Sequence, residues 1–207
     1  MPRQKIDGLI RIFPEFSPIK ISYKDVFGAR QFYKAMHEWL MNNQWKDTEA
    51  GGNQIESYYG QRTGRDGAKE TWIWWRTEKM ASDNNWIKYY LDVDIHLIGM
   101  KDTELVKDGK KLALQKGKCE VVIRAYIEKL YKKEFKKNWF LRQVQSVFEH
   151  RIYHGSIDAK RKNLYQQSYA LAHFVKQWFK LKRYLPYEEV RSFYPSKSYP
   201  SHIKEGQ

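Results

Sequence analysis

From residue 87 to 98 the chain reads IKYYLDVDIHLI. Ile87, Tyr89, Leu91, Val93, Ile95 and Leu97 fall on one side of an extended strand, and Lys88, Tyr90, Asp92, Asp94 and His96 on the other. The stretch CEVVIRAYIEKLY repeats the pattern, with Cys119, Val121, Ile123, Ala125 and Ile127 inward and Glu120, Arg124 and Glu128 outward. Upstream, IESYYGQR and KETWIWWRTEK read as two strands joined by the Gly-rich connection TGRDGA. The pair ELV and KLAL flanks Lys107-Asp108-Gly109-Lys110, in which Asp-Gly is the signature of a type I′ hairpin turn. Residues 9–23 suggest two short extended pieces broken by Pro14 and Pro18, with Ile19, Ile21 and Tyr23 alternating with polar positions.

Two other parts of the chain carry a helical period. After Asp25, an N-cap candidate, Val26, Ala29, Tyr33, Met36 and Leu40 recur at steps of three and four, widened by Phe32 and Trp39. From Glu134 to Tyr153 the face is Leu141, Val144, Phe148 and Ile152, with Phe140 and Val147 beside it. His154-Gly155-Ser156 reads as a break, with Ser156 as N-cap of a further helix running to about Arg183 through Ile157, Leu164, Leu171, Val175 and Trp178. Residues 184–207 hold three prolines and no sustained period, and read as an extended tail. The expected organisation is one α+β domain over 1–183 followed by that tail. In it, a curved antiparallel meander of five or six strands packs against one N-terminal helix and two long C-terminal helices.

This element order resembles that of helix-grip (START-like) ligand-binding folds. The stretches FYKAMHEWL, LVKDGKKLALQKG and AYIEKLY also resemble uncharacterised archaeal proteins with a helix, a meander and two further helices. Both resemblances imply a fold and carry no activity with them.

Composition changes the picture in one respect. Apolar residues make up 42% of the 207, and aromatic residues 16%, which suffices for a sizeable core. The net charge is +14, and it is unevenly spread. Residues 1–100 hold 14 Lys and Arg against 13 Asp and Glu; residues 101–207 hold 24 against 11. A field of one sign on half of a chain favours polyanions. The lone Cys119 rules out an intrachain disulfide and a cysteine zinc cluster. The opening MPRQKIDGLIRIF lacks a signal-peptide core, and no window is apolar enough to span a membrane. A soluble protein of the reducing cytoplasm is expected, with no cofactor.

Asp92, Asp94 and His96 are the sharpest candidate for chemistry. Side chains two apart on a strand project to one face about 6–7 Å apart, and three such groups can hold a cation. Metal sites draw ligands from more than one element, however, and the other side of this strand is core, so its second side is polar in any case. The plainer reading is a solvated or groove-lining row, with Lys88 and Arg124 as cross-strand ion partners. His150 and His154 lie four apart without the HExxH arrangement, and Cys119 lies on an apolar face as a buried thiol would. No nucleotide-binding or nucleophile motif is present. Trp72 and Trp74 share one strand face beside Arg76; burial under a helix is preferred for them over base stacking or a protein interface.

Basic runs interleaved with aromatics fit phosphate contacts combined with base stacking. They comprise Lys132, Lys133, Lys136, Lys137, Trp139 and Arg142, then Lys160, Arg161 and Lys162, then Lys176, Lys180, Lys182 and Arg183. The leading expectation is therefore a non-catalytic protein that binds nucleic acid, RNA or single strands, through its second half. One competing expectation is an assembly subunit docking through tail aromatics Tyr184, Tyr187, Phe193, Tyr194 and Tyr199. The other is a helix-grip protein holding an apolar ligand beneath its last helix.

Overall fold

A computed structural model describes residues 8–47, 55–81, 84–107, 110–130 and 154–181; of these, residues 84, 85, 105–107, 110–113, 154 and 156 are described by their backbone alone. The elements are β1 (Ile10–Arg11), β2 (Ile19–Phe27), α1 (Ala29–Asn42), β3 (Lys46–Asp47), β4 (Glu56–Thr63), β5 (Lys69–Ala81), β6 (Asn84–Lys107), β7 (Lys110–Lys129) and α2 (His154–Trp178). The fold is α+β, and every strand pairing in its seven-stranded sheet is antiparallel. β7, β6 and β5 form the centre. β1 and β2 both pair with the outer edge of β7, and β3 and β4 with that of β5. The sheet has seven strands against the expected five or six: β1 falls in the first of the two short pieces read over 9–23, and β3 is a two-residue addition to the β5 edge. The helix expected over 134–153 and the tail lie outside the described residues.

The alternation read from the sequence sets the faces. Leu91, Val93, Ile95, Val121, Ile123, Ile127, Ile73 and Trp75 are all buried on the inner face. Upon them lie Phe32, Met36 and Leu40 of α1 and Leu164, Leu171 and Val175 of α2. Fully burying side chains of this size contributes about 1.5–3 kcal/mol each, so this single layer dominates the stability. The C-terminal end of α2 is clamped by aromatics: Phe179 stacks on Tyr23 at 4.3 Å and meets Phe27 and Phe32 at 5.4 and 4.8 Å between ring centroids. At its middle, Tyr165 and Tyr169 take Phe13 between β1 and β2.

Several boundaries differ from expectation. Asp25 is not a helix cap. β2 continues through Phe27, whose backbone pairs with Gln115, because Phe27 is buried only by staying in the sheet. Gly28 takes the N-cap position, and the Gln115 side chain accepts the Ala29 N–H at 3.2 Å. The helical stripe consequently begins after Val26. The ELV and KLAL pieces are not separate strands but the ends of β6 and β7. A bulge between Ile98 and Lys101 lets β6 run on past the break in alternation. Gly99 sits there at φ 63°, and opposite it a Cβ on Gly117 would lie 2.5 Å from the Met100 sulfur. Lys107 pairs with Lys110, the register a two-residue hairpin needs. His154-Gly155-Ser156 is the first turn of α2 rather than a break before it. That helix ends at Trp178, short of Arg183, where Lys180 turns into the left-handed region at φ 53° and the Leu181 N–H reaches the Lys176 carbonyl at 2.8 Å.

Candidate functional site

The row of Asp92, Asp94 and His96 projects from the outer face of the sheet, and its solvation is graded: the His96 side chain is 30% exposed, Asp94 13% and Asp92 not at all. Asp92 is fully buried, and Tyr90, Tyr126 and Arg76 around it are buried too. The reason lies in the neighbouring strands. The register sets Asp92 between Arg76 of β5 and Arg124 of β7. The Arg76 guanidinium reaches Asp94 at 2.7 Å and lies 3.8 Å from Asp92, while Arg124 forms a very short ion pair with the other Asp94 oxygen. Two carboxylates and two guanidinium groups thus neutralise one another in a water-poor layer. Arg124 is the partner the sequence suggested; Lys88 instead pairs with Glu78 at 2.8 Å. His96 turns away from the aspartates, contacts Glu70 at 2.9 Å and stacks on Trp72 at 5.1 Å. Hydrogen bonding to His96, and then the Arg62 charge, holds the Glu70 carboxyl below its ordinary range. No group of three or more metal-ligating side chains occurs among the described residues.

Trp72 and Trp74 are half-buried on this same outer face, while Ile73 and Trp75 enter the core. The ring faces of the two tryptophans are already in use. His96 covers one side of Trp72 and the Arg62 guanidinium lies over that ring at 5.9 Å; Tyr58 stacks on Trp74 at 4.2 Å and Arg76 lies over it at 6.0 Å. A nucleobase would have to displace one of these partners in order to stack.

Several other charges on the sheet are paired as well, although Lys20, Lys24 and Lys116 have no ion pair among the described residues. Arg62 meets Glu70 at 2.8 Å, Lys69 meets Asp102 at 3.1 Å, Lys101 meets Asp66 at 2.9 Å, and Lys118 meets Glu120 at 2.5 Å. The side of α2 away from the sheet is different. Of the expected nucleic-acid contacts, Lys160, Arg161, Lys162, Lys176 and Lys180 lie on or directly after α2. Arg161 reaches Asp158 only at 3.6 Å, on an exposed turn. Lys162, Lys176 and Lys180 have no acidic partner among the described residues. Tyr165, which the sequence reading passed over, is 45% exposed one helical turn beyond Arg161 and Lys162. The signal for it was the spacing: an aromatic four residues after an arginine, followed by two glutamines. Lys132, Lys133, Lys136, Lys137, Trp139, Arg142, Lys182 and Arg183 lie outside the described residues, as do Tyr184, Tyr187, Phe193, Tyr194 and Tyr199.

Cys119 is buried, and desolvation pushes its thiol up to about 12, which makes it a packing residue and a poor nucleophile. No helix among the described residues is long and apolar enough to cross a membrane. No protein-family model, curated protein or solved structure matches the chain, so the functional reading rests on its residues alone.

Proposed function

We propose that this chain is a non-catalytic nucleic-acid-binding protein that engages RNA or single strands through its basic second half. The observation that carries the reading is the uncompensated charge of α2. Lys162, Lys176 and Lys180 stand without acidic partners among the described residues, whereas Arg62, Lys69, Arg76, Lys88, Lys101, Lys118 and Arg124 of the sheet are each matched by a carboxylate. A cation already paired gains little from a phosphate, because it must give up one carboxylate oxygen for another. An unpaired lysine gives up no partner and releases a condensed counterion from the polyanion. Tyr165 beside Arg161 and Lys162, packed against Phe13 and Tyr169 yet 45% exposed, adds a ring at which a base can stack. The charge balance of residues 101–207 points the same way.

The test is fluorescence anisotropy of labelled single- and double-stranded oligonucleotides at two salt concentrations. Wild type should bind single strands with an affinity that falls steeply with salt. Tyr165→Ala should weaken binding by about 1–3 kcal/mol, the usual worth of one stacked base. Absence of binding at low salt, where even non-specific attraction is strongest, would dismiss the reading.

A further inference from the structure

Beneath α2 the aromatic cluster of Tyr23, Phe27, Phe32 and Phe179 fills the space against the sheet. The roomier opening lies elsewhere on the inner face. A cleft of about 480 Å³ separates the first turn of α1 from the ends of β4, β5, β6 and β7. Its floor is Ile73, Leu97 and Met100, and its walls include Tyr33 of α1 and Tyr59 of β4. This volume falls within the range of small-molecule sites, and an apolar floor with a few polar groups at the mouth is their usual make-up.

The charges at the mouth decide what such a molecule carries. Glu56 accepts the Tyr33 hydroxyl at 3.0 Å. Burial and this carboxylate push Tyr33 up to about 12, which keeps it a neutral donor. Asp102 is held by Lys69 at 3.1 Å and by the Gln115 amide at 3.3 Å. The same Gln115 caps α1 through its carbonyl oxygen, so its amide orientation is fixed. Both carboxylates and the lysine are therefore engaged. Arg30, exposed at the lip on the first turn of α1, has no ion pair among the described residues. An entering molecule thus meets an apolar floor and one uncommitted cation.

We infer that this cleft is a binding site for a small organic anion with an apolar body, such as a medium-chain or ring-bearing carboxylate, its apolar part on Ile73, Leu97 and Met100 and its carboxylate on Arg30. The site is independent of the nucleic-acid reading, since it lies on other elements and needs none of the α2 lysines.

The test uses the full chain labelled with ¹³C at its methionine methyl groups, with the Met100 resonance assigned by Met100→Leu. Decanoate is titrated in without nucleic acid, and decanol serves as the uncharged control. Decanoate should move the Met100 methyl signal saturably, and decanol should bind at least about tenfold more weakly. Arg30→Gln, an exposed change that leaves the fold intact, should cost decanoate about tenfold, the equivalent of one charge-assisted hydrogen bond, and leave decanol unchanged. A Met100 signal unmoved by millimolar decanoate would overturn the site. Equal affinity for decanoate and decanol, or insensitivity to Arg30→Gln, would overturn the ligand class.

Discussion

The outer face of the sheet and the outer side of α2 are both rich in charge, yet they are built in opposite ways. On the sheet, Arg76, Arg124, Lys88, Arg62 and Lys118 each face a carboxylate one strand or one step away. On α2, Lys162, Lys176 and Lys180 face none among the described residues. The difference follows from geometry. A sheet brings residues from distant parts of the sequence opposite each other at about 5 Å, so one strand can supply the counter-charge for the next. A surface helix can draw on its own i±3 and i±4 positions alone, and α2 offers a single aspartate, Asp158. Lysines and arginines that look alike in a composition count are therefore structural where the register supplies a carboxylate, as at Arg76 and Arg124, and available where none is supplied, as along α2.

The largest expected effect comes from unbalancing the paired region. Asp94 accepts from both Arg76 and Arg124. Asp94→Ala leaves the buried Arg76 and the partly exposed Arg124 facing each other across Asp92, and should destabilise the fold by about 2–4 kcal/mol, read from urea unfolding. A drop below about 1 kcal/mol would mean that water reaches this layer and that the two regions do not differ as described.

In the unpaired region the same kind of change should act on binding instead. The double change Lys162→Glu and Lys176→Glu should leave the unfolding midpoint within about 0.5 kcal/mol of wild type, as for surface changes generally. It should lower the slope of log affinity against log salt by about 0.7 for each single-strand phosphate that is no longer neutralised. Unchanged affinity would move the interface away from α2.

Each region also contains a tyrosine that titrates late, for different reasons. On the sheet, Tyr126 is raised first by burial and then by the Asp92 charge. On α2, Tyr169 is raised to about 12, first by its hydrogen bond with Tyr165 and then by burial. A phenol whose folded pKa exceeds its unfolded value near 10 contributes stability that is complete below about pH 10 and is lost as pH rises through the folded value. Stability should therefore fall between about pH 10 and 12. Ultraviolet titration of Tyr165→Phe should show Tyr169 ionising earlier while Tyr126 is unmoved. A shift in both would show that the regions are coupled.

Much of the fold was legible because its two periods are clean. The alternation at Ile87–Leu97 and Cys119–Ile127 identified the buried face of the central strands, and Leu164, Leu171 and Val175 identified that of α2. The errors arose where a pairing partner decided the outcome. Gln115 kept Phe27 in the sheet, and β7 carried β6 past Gly99. The burial of Asp92 was illegible for the same reason: it depends on Arg76 and Arg124, which lie 16 and 32 residues away in sequence and meet it only through the register. The cleft was illegible too, since Arg30, Tyr59 and Met100 share no local pattern.

The smallest expected effect separates charge from backbone at a single residue. Lys180 carries one of the unpaired ammonium groups and also occupies φ 53°, where a side chain is disfavoured and glycine is at ease. Gln44 closes α1 in the same way at φ 62°, with the Trp45 N–H on the Leu40 carbonyl at 3.0 Å. Lys180→Gly and Gln44→Gly should each stabilise the fold by about 0.5–1 kcal/mol, because the folded chain sheds the strain, less what the freer glycine costs in the unfolded state. Only Lys180→Gly should also weaken oligonucleotide binding, since only it removes a cation. Calorimetry alongside a salt titration reads both quantities. If Lys180→Gly were to destabilise the protein while Gln44→Gly stabilised it, the Lys180 ammonium would have to be paired after all, and α2 would belong with the sheet rather than against it.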